Sequence, residues 1–313
     1  MYTLPTMAES APNVPLPVGW LVEGYRIRSL VARGGFSFVY RVTGMDGQTY
    51  ALKEFFPHEM VVRHAKEVEP TVLPGKEKAF YFGLKCFFDE GRTLGQIGHP
   101  NIVRVYSLFR AFETVFLAMA FEEGASLHDY IRRKRGRLRE TFIRVLLIRL
   151  LKALREIHAH KLLHLDLKPA NILLRQGGDP VLIDFGSARQ GIAHEIAWVR
   201  TMFTPGYAPP EQLEAKKEAI GPWTDLYALG GIVYACMTGS SPPRAEERQT
   251  ADPVPCKLAE LQGVYSAELL DLTAQLLALD VANRPQSAYQ VYKRIAESTY
   301  QLTRTSTLVV GGE

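Results

Sequence analysis

Cysteine is scarce in this chain of 313 residues, and its three thiols, Cys86, Cys236 and Cys256, lie far apart. That spacing speaks against a disulfide framework or a cysteine metal cluster and fits reduced, mostly buried thiols. Long uncharged apolar runs are missing as well. The most apolar stretches, 145–154 and 269–281, are broken by Arg149, Lys152, Asp271 and Asp280, and both fall short of the about twenty residues that a spanning helix needs. No transmembrane segment is expected. An excess of one charge is also absent: a formal charge of +4 gives no reason to expect nucleic acid as a partner. Residues 1–15 have neither the basic start nor the apolar run of a signal peptide, and their Pro, Ser and Asn content predicts a flexible leader on a cytoplasmic chain. There is no internal repeat. What remains, 47% hydrophobic and 22% charged residues, is globular and sufficient for one large or two smaller cores.

Short β-rich runs at 25–30, 38–42, 50–55 and 115–121, with one helical segment at 77–97 among them, predict a small antiparallel sheet with a helix. Gly44-Met45-Asp46-Gly47 between two of the runs reads as a hairpin turn, because Gly and Asp tolerate the backbone angles such turns require. Beyond Gly124 the pattern becomes helical. Over 142–158 the apolar residues fall at 142, 145, 146, 147, 150, 151, 154 and 157, a broad buried face. The fold class is therefore α+β, in two lobes that part near Glu122-Glu123-Gly124, and ligand sites favour crevices at such junctions. Past Tyr300 the periodicity stops, and 300–313 is expected to be a flexible tail.

The chemistry is concentrated in His164-Leu165-Asp166-Leu167-Lys168-Pro169-Ala170-Asn171 and, thirteen residues on, Asp184-Phe185-Gly186. Asp166 is a candidate general base, and Lys168 is placed to neutralise charge on a transferring phosphoryl group. Asn171 and Asp184 offer the hard oxygen ligands that Mg2+ prefers. Together these are what moving a phosphoryl group from a Mg-nucleotide to a hydroxyl requires. A lone Asp-Phe-Gly is often only a turn; the octapeptide has no comparably common structural explanation. Upstream, Ala32-Arg33-Gly34-Gly35-Phe36-Ser37-Phe38-Val39-Tyr40 sits between two predicted strands, where it is either a simple hairpin or a turn whose backbone N–H groups reach phosphate oxygens. Lys53, in Tyr50-Ala51-Leu52-Lys53, is flanked by apolar residues and needs a partner if its ammonium is desolvated.

With these motifs the chain resembles the eukaryotic-type (Hanks-type) serine/threonine protein kinases of bacteria over about 17–295, and the subgroup with a GGFS nucleotide loop and an HLD catalytic loop in particular. Lys53-Glu54-Phe55-Phe56-Pro57 and Gly221-Pro222-Trp223-Thr224-Asp225-Leu226-Tyr227 also resemble that subgroup, whose members often form part of larger signalling proteins, some tied to protein secretion. The resemblance implies a bilobal protein-kinase fold, with a β-rich N-lobe at 16–121 carrying one main helix and a larger, mostly α C-lobe at 122–299. It also implies ATP with Mg2+, or Mn2+ in its place, and a protein substrate with a Ser or Thr acceptor. Ala32, Gly34, Gly35, Phe36 and Ser37 are then the nucleotide loop, and Ala32 and Ser37 stand where the family more often has glycine. Glu90 clamps Lys53 against the phosphates; Met119 guards the back of the pocket, and Ala120-Phe121-Glu122 is the hinge that meets adenine. Val39, Ala51 and Leu173 pack on the ring, or are simply core. His164 and Phe185 hold the loops in place.

By the same resemblance, Thr204-Pro205-Gly206-Tyr207-Ala208-Pro209-Pro210-Glu211 positions a peptide substrate, with Thr204 near Asp166 and Lys168 and Glu211 paired to Arg284. Asp225 braces the catalytic loop and, from its place at the start of an apolar helix, also suits a cap. Lys168 with Thr204 favours serine or threonine over tyrosine as the acceptor. Leu165 departs from the family: the commoner arginine there requires a loop phosphate to neutralise it, and leucine removes that requirement. Ser187, Thr201 and Thr204 remain candidate autophosphorylation sites. The link 57–77 and the basic run 132–139 have no role in the predicted chemistry; the run reads as a solvated helix end, or as a patch for an acidic substrate or a phospholipid surface. Two other readings are weaker. A nucleotide-binding pseudokinase scaffold would be free to lose any of Lys53, Glu90, Asp166, Asn171 and Asp184, and a small-molecule phosphotransferase generally lacks the 204–211 segment.

Overall fold

A computed structural model describes residues 13–135, 137–185, 203–214 and 219–309. The described chain forms two compact units, 1–91 with 105–121, and 92–104 with 122–313.

The first unit is built on an antiparallel sheet of six strands in the order β1-β2-β3-β4-β8-β7. These are β1 (Leu21–Val22), β2 (Tyr25–Arg33), β3 (Ser37–Thr43), β4 (Thr49–Phe55), β7 (Val105–Ala111) and β8 (Thr114–Ala120). The Gly44-to-Gly47 turn joins β3 to β4 as predicted: Gly47 N–H donates to the Gly44 carbonyl (3.0 Å) and Gly47 takes a left-handed φ of 78°. Strand β7 was not foreseen, because its burial does not alternate cleanly. Helix α1 (Glu77–Leu94) ends before the expected Ile97, where Gly95 is followed by single turns from Gln96 and Ile97.

The link after β4 has a structural role that its sequence does not announce. It makes a two-stranded hairpin, β5 (Val61–Val62) with β6 (Thr71–Val72), and sends Arg63 into the core. Arg63 meets Glu54 of β4 through Nη1–Oε1 (2.5 Å) and Nη2–Oε2 (3.1 Å), and both side chains are fully buried. The Tyr40 hydroxyl donates to the same carboxylate (2.7 Å). Burial raises the Glu54 carboxyl above its ordinary value; the guanidinium, which burial alone would lower, is held above its own by Glu54. The end of the expected leader is tied to this group. Arg63 Nε donates to the Val14 carbonyl (2.8 Å), Leu16 N–H to the Tyr40 hydroxyl (3.0 Å), and Asn13 Nδ2 to the His58 carbonyl (3.1 Å). Residues 1–12 of the leader lie outside the described residues.

In the second unit, α3 (Glu140–Ala159) buries Ile143, Leu146, Leu147, Leu150, Leu151, Leu154 and Ile157. The buried stripe is narrower than predicted and shifted: Ile143 joins it, and Val145, off the stripe by the helical period, is 45% exposed. Helix α5 (Pro222–Thr238, after α4, Pro210–Leu213) is apolar almost all round and buried from Thr224 to Met237. It packs so closely on α8 (Ala267–Leu276) that a Cβ at Gly230 would lie 2.7 Å from the Leu276 Cβ. A three-stranded sheet orders β11 (Pro180–Leu182), β10 (Ile172–Leu174) and β9 (Ala125–Ser126). Residues 92–104 group with this unit because Val103 N–H donates to the Leu182 carbonyl (3.0 Å), Leu182 N–H to Asn101 (2.9 Å) and Asn101 Nδ2 to Pro180 (2.7 Å). The last helix, α9 (Ala288–Val309), continues past Tyr300, with no Gly or Pro between Tyr300 and Val309 to interrupt it. Residues 310–313 are outside the described residues. No described helix is long and apolar enough to cross a membrane.

Arg63→Ala strands a buried carboxylate and is expected to cost about 3–5 kcal/mol, whereas Glu54→Leu with Arg63→Met removes both charges and recovers most of that loss. Calorimetric melting of the two variants checks this; equal destabilisation would refute it. Burial also pushes the Cys236 thiol up to about 12, so alkylation at mildly basic pH is expected to label exposed Cys256 and spare Cys236, as read by peptide mass.

Candidate active site

Strand register assembles the predicted nucleotide residues of the first unit. Val39 of β3 faces Lys53 of β4, and Ala51 of β4 faces Met119 of β8. Side chains alternate along a strand, so Val39, Ala51, Lys53 and Met119 share one face of the sheet, while Tyr40 and Glu54 point to the other. Lys53 is 5% exposed, and its Nζ lies 5.3 Å from the Phe87 ring centre. Phe87 and Glu90 are one turn apart on α1, so the buried Glu90 shares the side of the helix that faces Lys53. Phe121 follows β8, with the Arg41 guanidinium 5.1 Å from its ring centre.

The Gly34–Ser37 turn departs in part from expectation. Gly34 N–H already donates to the Ser37 carbonyl (2.9 Å), so this amide is used inside the turn. The Gly35 and Phe36 carbonyls accept from His58 N–H (3.0 Å) and Phe56 N–H (2.8 Å), which ties the turn to the link after β4. Ala32 pairs with Val39 at the end of β2, and Ser37 is buried in β3 opposite Phe55.

In the second unit, Asp166, Lys168, Asn171 and Thr204 converge. Asp166 is 6% exposed; Lys168 Nζ donates to its Oδ2 (2.9 Å) and to Thr204 Oγ1 (3.2 Å). Asn171, at the end of a 3-10 turn over Pro169–Asn171, donates through Nδ2 to the Asp166 carbonyl (2.8 Å), to its Oδ2 (2.9 Å) and to the Asp184 carbonyl (3.3 Å). These bonds commit the amide nitrogen and leave Oδ1 as the acceptor that Asn171 can offer. Asp184 follows β11 with a left-handed φ of 58°, a strained conformation for a residue with a side chain. Leu173 sits on β10 between Val181 and Ser126, half-buried, with both strand neighbours buried.

Asp225 holds the backbone of this segment. Its Oδ2 accepts from His164 N–H (2.9 Å) and its Oδ1 from Leu165 N–H (2.8 Å), while Leu165 takes φ of 59°. His158 Nε2 meets Oδ2 at 2.9 Å, and Gln212 Nε2 donates to the Leu165 carbonyl (2.8 Å). Complete burial would raise the Asp225 carboxyl, but hydrogen bonding and charge from His158, with further help from His164 and the Leu165 amide, hold it below its ordinary value. The cap expected of Asp225 belongs elsewhere: Gly221 stands at the cap position before α5, with Thr224 Oγ1 accepting from its N–H (3.2 Å), and both Asp225 oxygens turn to the loop at His164 and Leu165. His164 is fully buried, which lowers its pKa against the pull of Asp225, and its ring stacks on Phe185 at 4.3 Å. His158 and Gln212 were not anticipated. They come from α3 and α4, and only their proximity in space marks them.

Glu211 pairs with Arg284 as expected, through Nη1–Oε1 (2.6 Å) and Nη2–Oε2 (2.9 Å), both side chains almost wholly buried. Thr224 adds a donor to Oε1 (3.1 Å), and the Ala278 and Leu279 carbonyls accept from Arg284 (2.6 and 2.9 Å). Gly186, Ser187 and Thr201 lie outside the described residues, as does Gly136 of the basic run.

Asp225→Ala leaves two buried amides and His158 without their acceptor and is expected to cost about 3 kcal/mol or more. Because the folded carboxyl titrates below its unfolded value, its stabilisation is fully present above about pH 4 and is lost as pH falls through the folded value. The parent is therefore expected to lose more stability than Asp225→Asn on acidification below that pH, as measured by urea midpoints; parallel acid profiles would contradict this assignment.

A family model described as "Protein kinase domain" matches residues 25–295. Among curated proteins the chain is similar to serine/threonine-protein kinase B of Synechocystis, 27% identical over 88% of this chain and 47% of the relative. It is also similar to serine/threonine-protein kinase PknK of Mycobacterium tuberculosis, 32% identical over 88% of this chain and 22% of the relative. The chain thus spans about half or less of the length of these relatives. A solved structure titled "PpkA-294 apo form" superimposes with a TM-score of 0.78 at 31% identity, covering 90% of this chain and 98% of its own. By its sequence match, its fold and the residues that the fold brings together, this chain belongs to the protein kinase family.

Proposed function

We propose that the chain is an active serine/threonine protein kinase that transfers the γ-phosphoryl group of Mg-ATP to Ser or Thr hydroxyls of proteins, itself included. The observation that carries this reading is the buried Asp166 carboxylate, held by Lys168 and Asn171, with Lys168 also bonded to Thr204. Asp166 accepts the hydroxyl proton as the new O–P bond forms and the bond from Pγ to the β-phosphate bridging oxygen breaks. Lys168 offsets the charge on the equatorial oxygens, and Thr204 holds that lysine in place. Asn171 Oδ1 and the Asp184 carboxylate are hard oxygen donors, which suit Mg2+, with Mn2+ as an alternative. When bound, the cation neutralises phosphate charge. Lys53, clamped by Glu90, serves the α- and β-phosphates; Val39, Ala51 and Leu173 are assigned to the adenine ring, Met119 to the back of its pocket and Phe121 to the hinge.

In this reading the chain is a bacterial Hanks-type kinase of the GGFS and HLD subgroup acting in the cytoplasm, its domain spanning 16–299. Glu211, anchored by Arg284, fixes the segment that receives the peptide. Activity depends little on loop phosphorylation. Leu165 carries no charge that a phosphate would have to neutralise, and the loop backbone is held by Asp225 and Gln212 instead.

Asp166→Asn is expected to lower kcat by about 100-fold or more with nucleotide Kd nearly unchanged, whereas Asp184→Ala weakens Mg-nucleotide binding as well. Transfer of labelled γ-phosphate to a generic protein and calorimetric nucleotide binding measure the two effects. Parent protein that binds Mg-ATP and transfers nothing would instead be a pseudokinase scaffold. Phosphatase-treated protein is expected to keep its activity within about twofold; near-complete loss would refute control without a loop phosphate.

A further inference from the structure

The basic run after β9 is left unused by the chemistry above, and the structure gives its first residues a place. Helix α2 (Leu127–Lys134) is capped by Ser126, whose hydroxyl accepts from Asp129 N–H (3.0 Å). Its residues His128, Ile131 and Arg132, spaced along one helical face, line an open groove of about 720 Å³. Lys168 and Ala170 of the catalytic loop, with Thr204 and Tyr207, line the same groove, as do Ala235, Ser240 and Ser241. The groove therefore joins the catalytic loop, where an acceptor hydroxyl must sit, to α2. Its lining includes three basic side chains, His128, Arg132 and Lys168, and no carboxylate. The Arg132 side chain is 76% exposed, and its contact with Asp129 (3.4 Å) is an exposed pair of the kind that contributes little and yields to a better partner. Lys134 and the following Arg135, with Arg133, extend the positive potential along the same end of the helix.

We propose that this groove selects acceptor segments with Asp or Glu beside the Ser or Thr, read by Arg132 and His128. The inference rests on the phosphotransfer reading and names its substrate class: acidic peptide segments. Charge complementarity carries it, since a concave cationic surface leading from the catalytic loop raises the local concentration of acidic chains and penalises basic ones. A bilayer fits less well, because the apolar residues of α2, Leu127 and Ile131, are buried and leave no exposed apolar face to enter lipid.

The test uses the full chain and three peptides that share one acceptor serine flanked by Asp and Glu, by Ala, or by Arg and Lys. The acidic peptide is expected to exceed the alanine peptide in kcat/KM by about three- to tenfold, and the advantage is expected to shrink as salt rises from about 0.05 to about 0.5 M. Arg132→Glu is expected to abolish or invert that ratio and Arg132→Ala to reduce it. A parent that treats the three peptides alike or favours the basic one overturns the proposal. So does an unchanged ratio in both variants, or autophosphorylation with no peptide modified. Binding to vesicles of anionic phospholipid that Arg132→Glu abolishes, with the peptide ratio untouched, would assign the run to membranes and overturn it too. Failure of all transfer, to peptides and to the chain itself, would instead remove the phosphotransfer reading on which the proposal stands.

Discussion

The conformation of the catalytic segment depends on one buried carboxylate. Asp225 accepts two consecutive backbone N–H groups, from His164 and Leu165, and meets His158 besides. Leu165 can hold a left-handed φ of 59° because both of its backbone polar groups are fixed, the N–H by Asp225 and the carbonyl by Gln212. That conformation costs about 1–2 kcal/mol for a residue with a Cβ and persists only where its surroundings over-determine it. From this fixed point the chain delivers Asp166 to Lys168 and Asn171 within 2.9 Å. The acid that anchors the loop and the acid proposed to do chemistry thus divide their work by environment. One takes two backbone N–H groups and His158; the other takes the Lys168 ammonium and the Asn171 amide, with Thr204 beside them.

The first unit rests on a comparable division between the faces of its sheet. Lys53 and Glu54 are neighbours in sequence, and the strand alternation sends them to opposite sides. Lys53 joins Val39, Ala51 and Met119 on the face that α1 covers. Glu54 joins Tyr40 on the other, where Arg63 returns from the link to meet it. A buried ion pair of this kind adds little net stability, yet losing either partner is expensive. It thereby fixes the path of the link, and with it the Phe56 and His58 amides that tie down the Gly35 and Phe36 carbonyls. The link so supports the Gly34–Ser37 turn.

Buried charge organises the second unit in the same manner. Glu211 and Arg284, far apart in sequence, close on each other bidentately and gather Thr224 and three carbonyls around them. Arg144 of α3, nearly fully buried, reaches Glu140, Ser266, Glu268 and Ser298. Each of these groups ties segments that the apolar core alone could let slide.

The sequence by itself determined the class of fold and named the residues proposed to react. Strand and helix periods are local properties, and the octapeptide with Asp-Phe-Gly carries its chemistry in adjacent positions, so Asp166, Lys168, Asn171 and Asp184 were legible without coordinates. The Glu211–Arg284 pair and the nearness of Thr204 to Lys168 were legible only through the resemblance, since nothing local links them. Tertiary structure alone decided the remaining features. It left the start of α5 to Gly221 and Thr224, and recruited His158 and Gln212 to the loop that the resemblance already had Asp225 brace. It made Arg63 a core residue and used the Gly34 N–H within its own turn. The physical reason is common to the polar cases. A hydrogen bond or buried ion pair between distant residues leaves no periodic trace in sequence, because it needs only one suitable side chain at each end and a fold that brings them within 3 Å or so.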